Sequence, residues 1–380
     1  MTLPPENQPF IFHSRPTVAE IDQGRLRDNI RAVRSFVAPA KVMAVVKANG
    51  YGHGLVEVAQ IFQEEHVDWL GVAYIEEAVE LRANGITIPI LTFGGLSKEQ
   101  IDLYLQNKVD ITVPSVSKLE QVEESAQRLG CRARVHLKID TGLERIGVHH
   151  YSSQALYDAA LKAQHIDIIG VYSHFADVDP RDLSLTRLQL ERFLESLRYF
   201  EERTSGPFVR HIAATGGTIA LRESHLDMVR PGLGLYGIYP SPGLSDTLPL
   251  APVLSLKSQV VYFKVVKKGA GVSYGHRWFA PHDTRVVTVP IGYGDGFLRQ
   301  LSQKIEVLIG GRRYPQVGVI CMDQMVVNLG EGEAFNGDEV VLIGSQGRQR
   351  ITVEELAEAI DTTPHDIVVS LNQRIPRLYV

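Results

Sequence analysis

Short apolar, β-branched runs recur through the first two thirds of the chain. They are MAVVKA (43–48), WLGVA (69–73), ILTFG (90–94), ITVPS (111–115), RVHLKID (134–140), IIGVYSHF (168–175), VRHIAAT (209–215) and MVRPGLGLYG (228–237). Between them lie stretches with helical spacing of apolar positions, such as Ser117 to Leu129 and Leu185 to Phe200. Strands that alternate with helices predict a parallel sheet. Eight such repeats over about 200 residues predict a closed (β/α)8 barrel, with an open doubly wound sheet as the alternative.

Near Ser241 the pattern changes. Ser241 to Pro252 is rich in Pro, Gly, Ser and Asp and reads as a linker. Beyond it, SLKSQVVYFKVV, TRVVTVPIGYG, KIEVLIGG, YPQVGVIC, MVVNLG and DEVVLIG follow one another without long helices. This predicts an all-β module, of barrel type, ending in one helical run (Thr352 to Ile360) and a last stretch, Ile367 to Val380. The expected domains are residues 16–240, the barrel, and 241–380, the β domain.

Composition changes this picture little. The 380 residues are 44% hydrophobic and 22% charged, which suits a globular chain. The net charge of -5 and the lack of a basic run of five or six argue against nucleic acid as a partner. No apolar run reaches membrane-spanning length, and Met1 to Phe10 does not read as a signal peptide. Cys131 and Cys321 stand far apart, which fits a reducing, cytoplasmic compartment. No metal-ligating set is singled out.

In a (β/α)8 barrel the chemistry lies at the C-terminal ends of the strands. Here those ends carry Lys47, then Lys138, Asp140 and Arg145, then His174, then His211 and Ala214-Thr215-Gly216-Gly217, and finally Arg230, Gly232 and Gly234. Taken singly, each has a bland reading: a solvated lysine, a core histidine, an Arg-Pro-Gly turn. Together they form a cationic rim with glycine amides, which expects an anion such as phosphate. A lysine on such a rim suggests a Schiff base with pyridoxal phosphate, because nearby cations and partial burial lower its pKa. Arg230 facing the pyridine nitrogen, with His211 as its hydrogen-bond partner, would leave that nitrogen unprotonated.

The motifs then carry a specific resemblance. From about Pro16 to the C-terminus the chain resembles the alanine racemase family, whose members are pyridoxal-phosphate enzymes with a (β/α)8 barrel and a C-terminal β domain. AVVKANGYGHG matches the cofactor lysine at Lys47 and a phosphate-contacting tyrosine at Tyr51. LKIDTGLERIG matches at Lys138, a lysine often carbamylated in the family, and at Arg145, the arginine it positions. YSHF brings His174 beside the cofactor ring. VRPGLGLYG brings Arg230 to the ring nitrogen and Gly232 to the phosphate. In the β domain GVSYGHRW matches the second catalytic base at Tyr274, PIGYGDGF brings Tyr293, and ICMDQM brings Met322 and Asp323 to the substrate. The resemblance implies a head-to-tail homodimer in which these β-domain residues enter the other subunit's site. It also implies two-base interconversion of L- and D-alanine, with Lys47 on the D face and Tyr274 on the L face, and supply of D-alanine for peptidoglycan.

Three positions depart from the family pattern. Ala213-Ala214-Thr215 replaces Ala-Asn-Ser, so a hydroxyl remains and an amide is lost. His365-Asp366-Ile367 stands where a tyrosine normally precedes the acid, near the phosphate and the site entrance, so serine becomes a second candidate substrate and cofactor affinity is expected to weaken. Glu144 stands where Gly or Asn is common. Competing readings are a broader alanine/serine racemase, a pyridoxal-phosphate decarboxylase of basic amino acids and a non-catalytic cofactor carrier. Arg230 argues against the decarboxylase, and the β domain argues against the carrier.

Overall fold

The structure, a computed structural model, describes residues 15–380. The expectation about a leader in the first ten residues lies outside them. The chain divides into two compact units. One is Arg25–Ala251; the other joins the residues up to Gly24 with Pro252–Val380. Among the described residues no helix is long and apolar enough to cross a membrane.

β1 (Val18–Ile21) belongs to the second unit. The eight apolar runs become eight strands of the first unit: β2 (Lys41–Val45), β3 (Trp69–Val72), β4 (Ile90–Thr92), β5 (Ile111–Val113), β6 (Ala133–Asp140), β8 (Ile166–Tyr172), β9 (Val209–His211) and β10 (Met228–Val229). A two-residue strand, β7 (Val148–His149), pairs with the end of β6. Parallel pairing runs β10-β2-β3-β4 and β5-β6-β8-β9. Parallel bridges Leu91–Asp110 and Ala214–Arg230 join the two pieces at both seams, so the barrel closes as expected. The connecting helices pack by their apolar stripes. In Val116–Leu129, Ser115 Oγ accepts from the Lys118 amide at 3.2 Å, Gly130 ends the helix at φ +64°, and Leu119, Val122 and Ala126 are buried.

Side chains alternate along a strand, so His136, Lys138 and Asp140 of β6 share one face while Val135, Leu137 and Ile139 share the other. The face with His136 meets other buried polar groups: Thr112, Tyr172, His211 and Arg230. Branched aliphatic residues would ordinarily fill such a barrel. A polar filling needs hydrogen-bond partners, and these groups have them except His136 Nε2, which makes no hydrogen bond among the described residues.

The second unit is built on one sheet whose pairing runs as an open path: β12 (Tyr262–Val266), β15 (Thr284–Val289), β18 (Met325–Gly330), β17 (Arg312–Val317), β16 (Glu306–Ile309), β19 (Glu339–Gln346), β11 (Leu254–Gln259), β1 and β21 (Arg377–Tyr379). β20 (Gln349–Ile351) pairs with β19. β13 (Gly271–Val272) and β14 (Trp278–Phe279) form a separate two-stranded ribbon, with Val272 and Trp278 packed on Val266, Val286 and Val317. The sheet-rich C-terminal domain is present, and among the described residues β12 and β21 are the ends of the path, so no closed barrel forms among them. It also carries a second short helix, Pro364–Ser370, beside Val353–Ala359.

The compact units divide at Gly24 and at Ala251. β1 pairs antiparallel with β11 and parallel with β21, so it completes the β sheet. Residues 241–251 of the expected linker pack with the first unit: Leu244 is buried, the Tyr239 hydroxyl donates to Leu248 O at 2.8 Å, and Asn29 holds Ala251 through both backbone groups.

Gly296 shows why one glycine cannot be replaced. It sits at φ +86°, and a β-carbon there would fall inside the contact distance of the Ser370 carbonyl. Gly296→Ala is expected to destabilise the protein by about 2–3 kcal/mol through overpacking and strain, read as a lower denaturant midpoint. An unchanged midpoint would show that the backbone yields there.

Candidate active site

The C-terminal rim of the barrel is assembled from five strand ends. After β2 the chain enters a left-handed turn: Ala48, Asn49, Gly50 and Tyr51 all have φ between +52° and +59°. Such a conformation is costly for residues other than glycine, about 1–2 kcal/mol each. Local bonds hold it in place. The Gly50 amide donates to Val46 O at 2.8 Å, Glu77 Oε1 accepts from the Ala48 amide at 2.6 Å, and Asn49 Oδ1 accepts from the Leu55 amide at 3.0 Å. Lys47 opens the turn and is half-buried; burial, then the charge of Arg145, lowers its pKa against the pull of Glu77. Tyr51 closes the turn, buried, with its ring 5.3 Å from that of Tyr236. Burial raises its phenol pKa well above the ordinary value.

Opposite Tyr51 stands Gly232, where a β-carbon would collide with the tyrosine hydroxyl. Thr215 Oγ accepts from the amides of Gly232 (3.0 Å) and Gly234 (3.2 Å), which leaves its own proton to donate elsewhere. Thr215 begins the helix Thr215–Ala220, whose next two residues are Gly216 and Gly217.

Arg230 follows β10 and is buried. Its Nη1 donates to His211 Nδ1 at 2.9 Å. Its Nη2 reaches Ser173 O at 2.8 Å, His174 Nδ1 at 3.0 Å and Ile212 O at 3.0 Å. The Arg230–His211 bond inferred from the sequence is therefore present. No carboxylate is among these partners. Burial lowers the Arg230 pKa to about 10, so it stays charged at neutral pH. Burial, reinforced by Arg230, holds His174 and His211 well below the usual imidazole value. The Tyr172 ring stacks on His211, 4.9 Å between centroids, with the Arg230 guanidinium over it at 5.2 Å and the Lys138 amino group at 5.0 Å.

Lys138 is buried at the end of β6, where its Nζ donates to Ile139 O at 3.1 Å. Burial and then Arg230 push its pKa down to about 7. It forms no close pair with Asp140, whose oxygens instead accept the amides of Gly142 (2.7 Å), Leu143 (3.0 Å) and Arg145 (3.3 Å) and so shape the loop that presents Arg145. Glu144 in that loop has φ +55°, the conformation Gly and Asn adopt most cheaply.

The second unit holds a separate cluster. Tyr274 lies in the turn between β13 and β14 and is 73% exposed. A cleft lined by Ser273, Tyr274, His276, Cys321, Met322 and Asp323 lies around it. The Tyr293 amide donates to Cys321 O at 3.1 Å and the Gly294 amide to Met322 O at 2.8 Å, so the two segments are laced together. Asp323 pairs with Arg374 at 2.6 Å, and Arg374 reaches the buried Asp295, which Arg15 also clamps. His365 sits on the helix Pro364–Ser370, half-buried.

Sequence reasoning passed over Tyr172, Tyr236, His136, Asp110 and Glu77. His136 had a signal, since it lies two residues before Lys138 on the same strand and so shares its face. The others act through contacts between distant segments.

The chain matches the family model for the alanine racemase N-terminal domain over residues 21–240 and that for the C-terminal domain over 253–379. It is 41% identical to an alanine racemase of Symbiobacterium thermophilum, covering 96% of this chain and 97% of that one. It is 38% identical to one from Methanococcus maripaludis, covering 97% and 99%. Its structure superposes on the alanine racemase of D-cycloserine producing Streptomyces lavendulae with a TM-score of 0.93, at 40% identity over 96% of this chain and 97% of that one. It superposes on that of Bacillus anthracis with bound L-Ala-P with a TM-score of 0.91, at 34% identity over 98% and 96%.

The depressed Lys138 pKa has a consequence for stability. Its folded value of about 7 lies below the ordinary 10.5, so the unfolded chain binds more protons between these values. The cost of burying Lys138 is complete below about 7 and is relieved as pH rises toward about 10. In bicarbonate-free buffer, Lys138→Met should remove this rise in unfolding free energy. A variant that keeps the wild-type slope would contradict burial of Lys138 as the neutral amine.

Proposed function

The chain belongs to the alanine racemase family, and from that premise we propose how its residues share the reaction. It is an enzyme that interconverts L-alanine and D-alanine. Its cofactor in this reading is pyridoxal 5′-phosphate, and the residues fit that group. The Tyr51 hydroxyl against Gly232 and the free proton of Thr215 form a cradle suited to phosphate. Lys47, with its lowered pKa, suits the aldehyde. Arg230, held by His211, would face the ring nitrogen, with His174 beside the ring and His365 in the place of the family's tyrosine. When bound, the cofactor supplies an electron sink that acidifies the α-C–H bond of the amino acid.

The observation that carries the reading is Arg230. A guanidinium with no carboxylate beside it cannot pass a proton to a ring nitrogen. A decarboxylase of basic amino acids would need an acid at this point. Racemisation takes the α-proton from one face and returns one to the other, so a base must stand on each side. Lys47 serves the D face and Tyr274 the L face. Arg145, oriented by Lys138 (as its carbamate), and the Met322 amide would hold the substrate carboxylate, with Asp323 and Tyr293 at its flank.

Tyr274, Met322 and Tyr293 are exposed on the β unit. Such a group of large exposed side chains supports a reading in which a second copy covers it. We therefore take the protein as a head-to-tail homodimer with two shared sites. The two free cysteines support a cytoplasmic setting. A broader alanine/serine racemase is the second reading, favoured by His365, whose imidazole is shorter than a phenol.

Two outcomes follow. Tyr274→Phe should slow α-deuteration and inversion of L-alanine in deuterium oxide by about 10²–10⁴-fold while cofactor absorbance remains. Mixing it with inactive Lys47→Ala should restore about a quarter of wild-type activity, because one site of each mixed dimer is intact. An active Tyr274→Phe sinks the base assignment, and a mixture that stays inactive sinks the shared site. His365→Tyr should raise the ratio of alanine to serine turnover; an unchanged ratio would remove His365 from specificity.

A further inference from the structure

Beneath Arg230 a line of buried groups runs down the barrel interior. His211 Nε2 lies 2.9 Å from His136 Nδ1. His136 Nε2 faces Asp110 Oδ2 at 3.5 Å and makes no shorter hydrogen bond among the described residues. Asp110, fully buried, also takes the Trp69 Nε1–H at 2.9 Å and the Arg134 guanidinium at 2.6 and 3.1 Å. Gly170 makes the line possible, since a β-carbon there would strike the His136 ring.

The direction of each hydrogen bond can be deduced. A guanidinium only donates, so His211 Nδ1 must accept from Arg230. A neutral His211 then carries its proton on Nε2 and donates to His136 Nδ1. His136 in turn carries its proton on Nε2, which points at the carboxylate. Burial keeps both imidazoles below the usual pKa, consistent with two neutral rings.

We propose that Asp110 is a positioning residue for racemisation: through His136 and His211 it fixes the tautomer that lets Arg230 be held in place. A carboxylate behind an imidazole is a known way to fix a tautomer. If either ring flipped, two donors would meet at His136 or at Arg230, and the guanidinium would have to move. The proposal rests on the assignment of Arg230 to the cofactor ring.

The first test is on the wild-type holoenzyme labelled with ¹⁵N-histidine, with long-range proton–nitrogen correlations assigned by His136→Gln and His211→Gln. Both rings should be neutral with the proton on Nε2. A proton on Nδ1 of either ring, or a doubly protonated ring, overturns the proposal without any need for an Asp110 variant. The second test is Asp110→Asn, whose amide nitrogen is forced against donors. It should populate mixed tautomers at His136 and His211 and lower kcat by about tenfold or more with little change in KM. Ile111→Val, a neighbouring core truncation, should leave tautomers and kcat near wild type. Unaltered tautomers and kcat in Asp110→Asn, or equal losses in both variants, would reduce Asp110 to a packing role. If Arg230→Gln racemises normally, the assignment of Arg230 fails while the tautomers stand.

Discussion

A permanent positive charge is buried in the barrel without a carboxylate beside it. Removing a guanidinium from water costs several kcal/mol unless acceptors replace the water. Arg230 meets that demand with two imidazole nitrogens and two carbonyls. An imidazole accepts only when neutral, so the arginine forces His174 and His211 to stay unprotonated. The same charge helps to depress Lys138. Burial, seconded by this one cation, lowers the pKa of each basic group beside it.

Backbone strain is gathered at the same rim. The left-handed turn after Lys47 includes Ala48 and Tyr51, which adopt that conformation only where other contacts insist on it. Glu77 supplies those contacts from the first turn of the helix Ile75–Ala83, and Asn49 from the turn itself. The result sets Tyr51 against Gly232 within five residues of Lys47, so groups suited to the two ends of one cofactor come from one short segment. Glu144 shows the same economy: Asp140 accepts the amides around it and stabilises a conformation its own side chain disfavours.

In the β unit, charge takes the role that strain takes in the barrel. Asp295 is fully buried, and Arg15 grips both its oxygens at 2.8 and 2.7 Å. A buried carboxylate needs such pairing. Arg374 carries the pairing on to Asp323 at the edge of the Tyr274 cleft. The exposed Asp323 is thus tied through Arg374 to a buried carboxylate.

The sequence by itself determined the eight barrel strands, since each is a short apolar run bounded by polar helical spacing, and strand ends are where a barrel shows its reactive residues. The rim positions of Lys47, Lys138, His174, His211 and Arg230 were legible for that reason, as was the hydrogen bond between His211 and Arg230. Tertiary structure alone decided what depends on distant pairing. β1 reads like the start of the barrel, yet its partners lie more than 200 residues away in β11 and β21. The handedness of the turn after Lys47, the burial of Asp110 under Trp69 and Arg134, and the hydrogen bond between His136 and His211 likewise have no local signature. Periodicity records which face a residue occupies, whereas hydrogen-bond direction and pKa follow from which group the closed barrel brings opposite it.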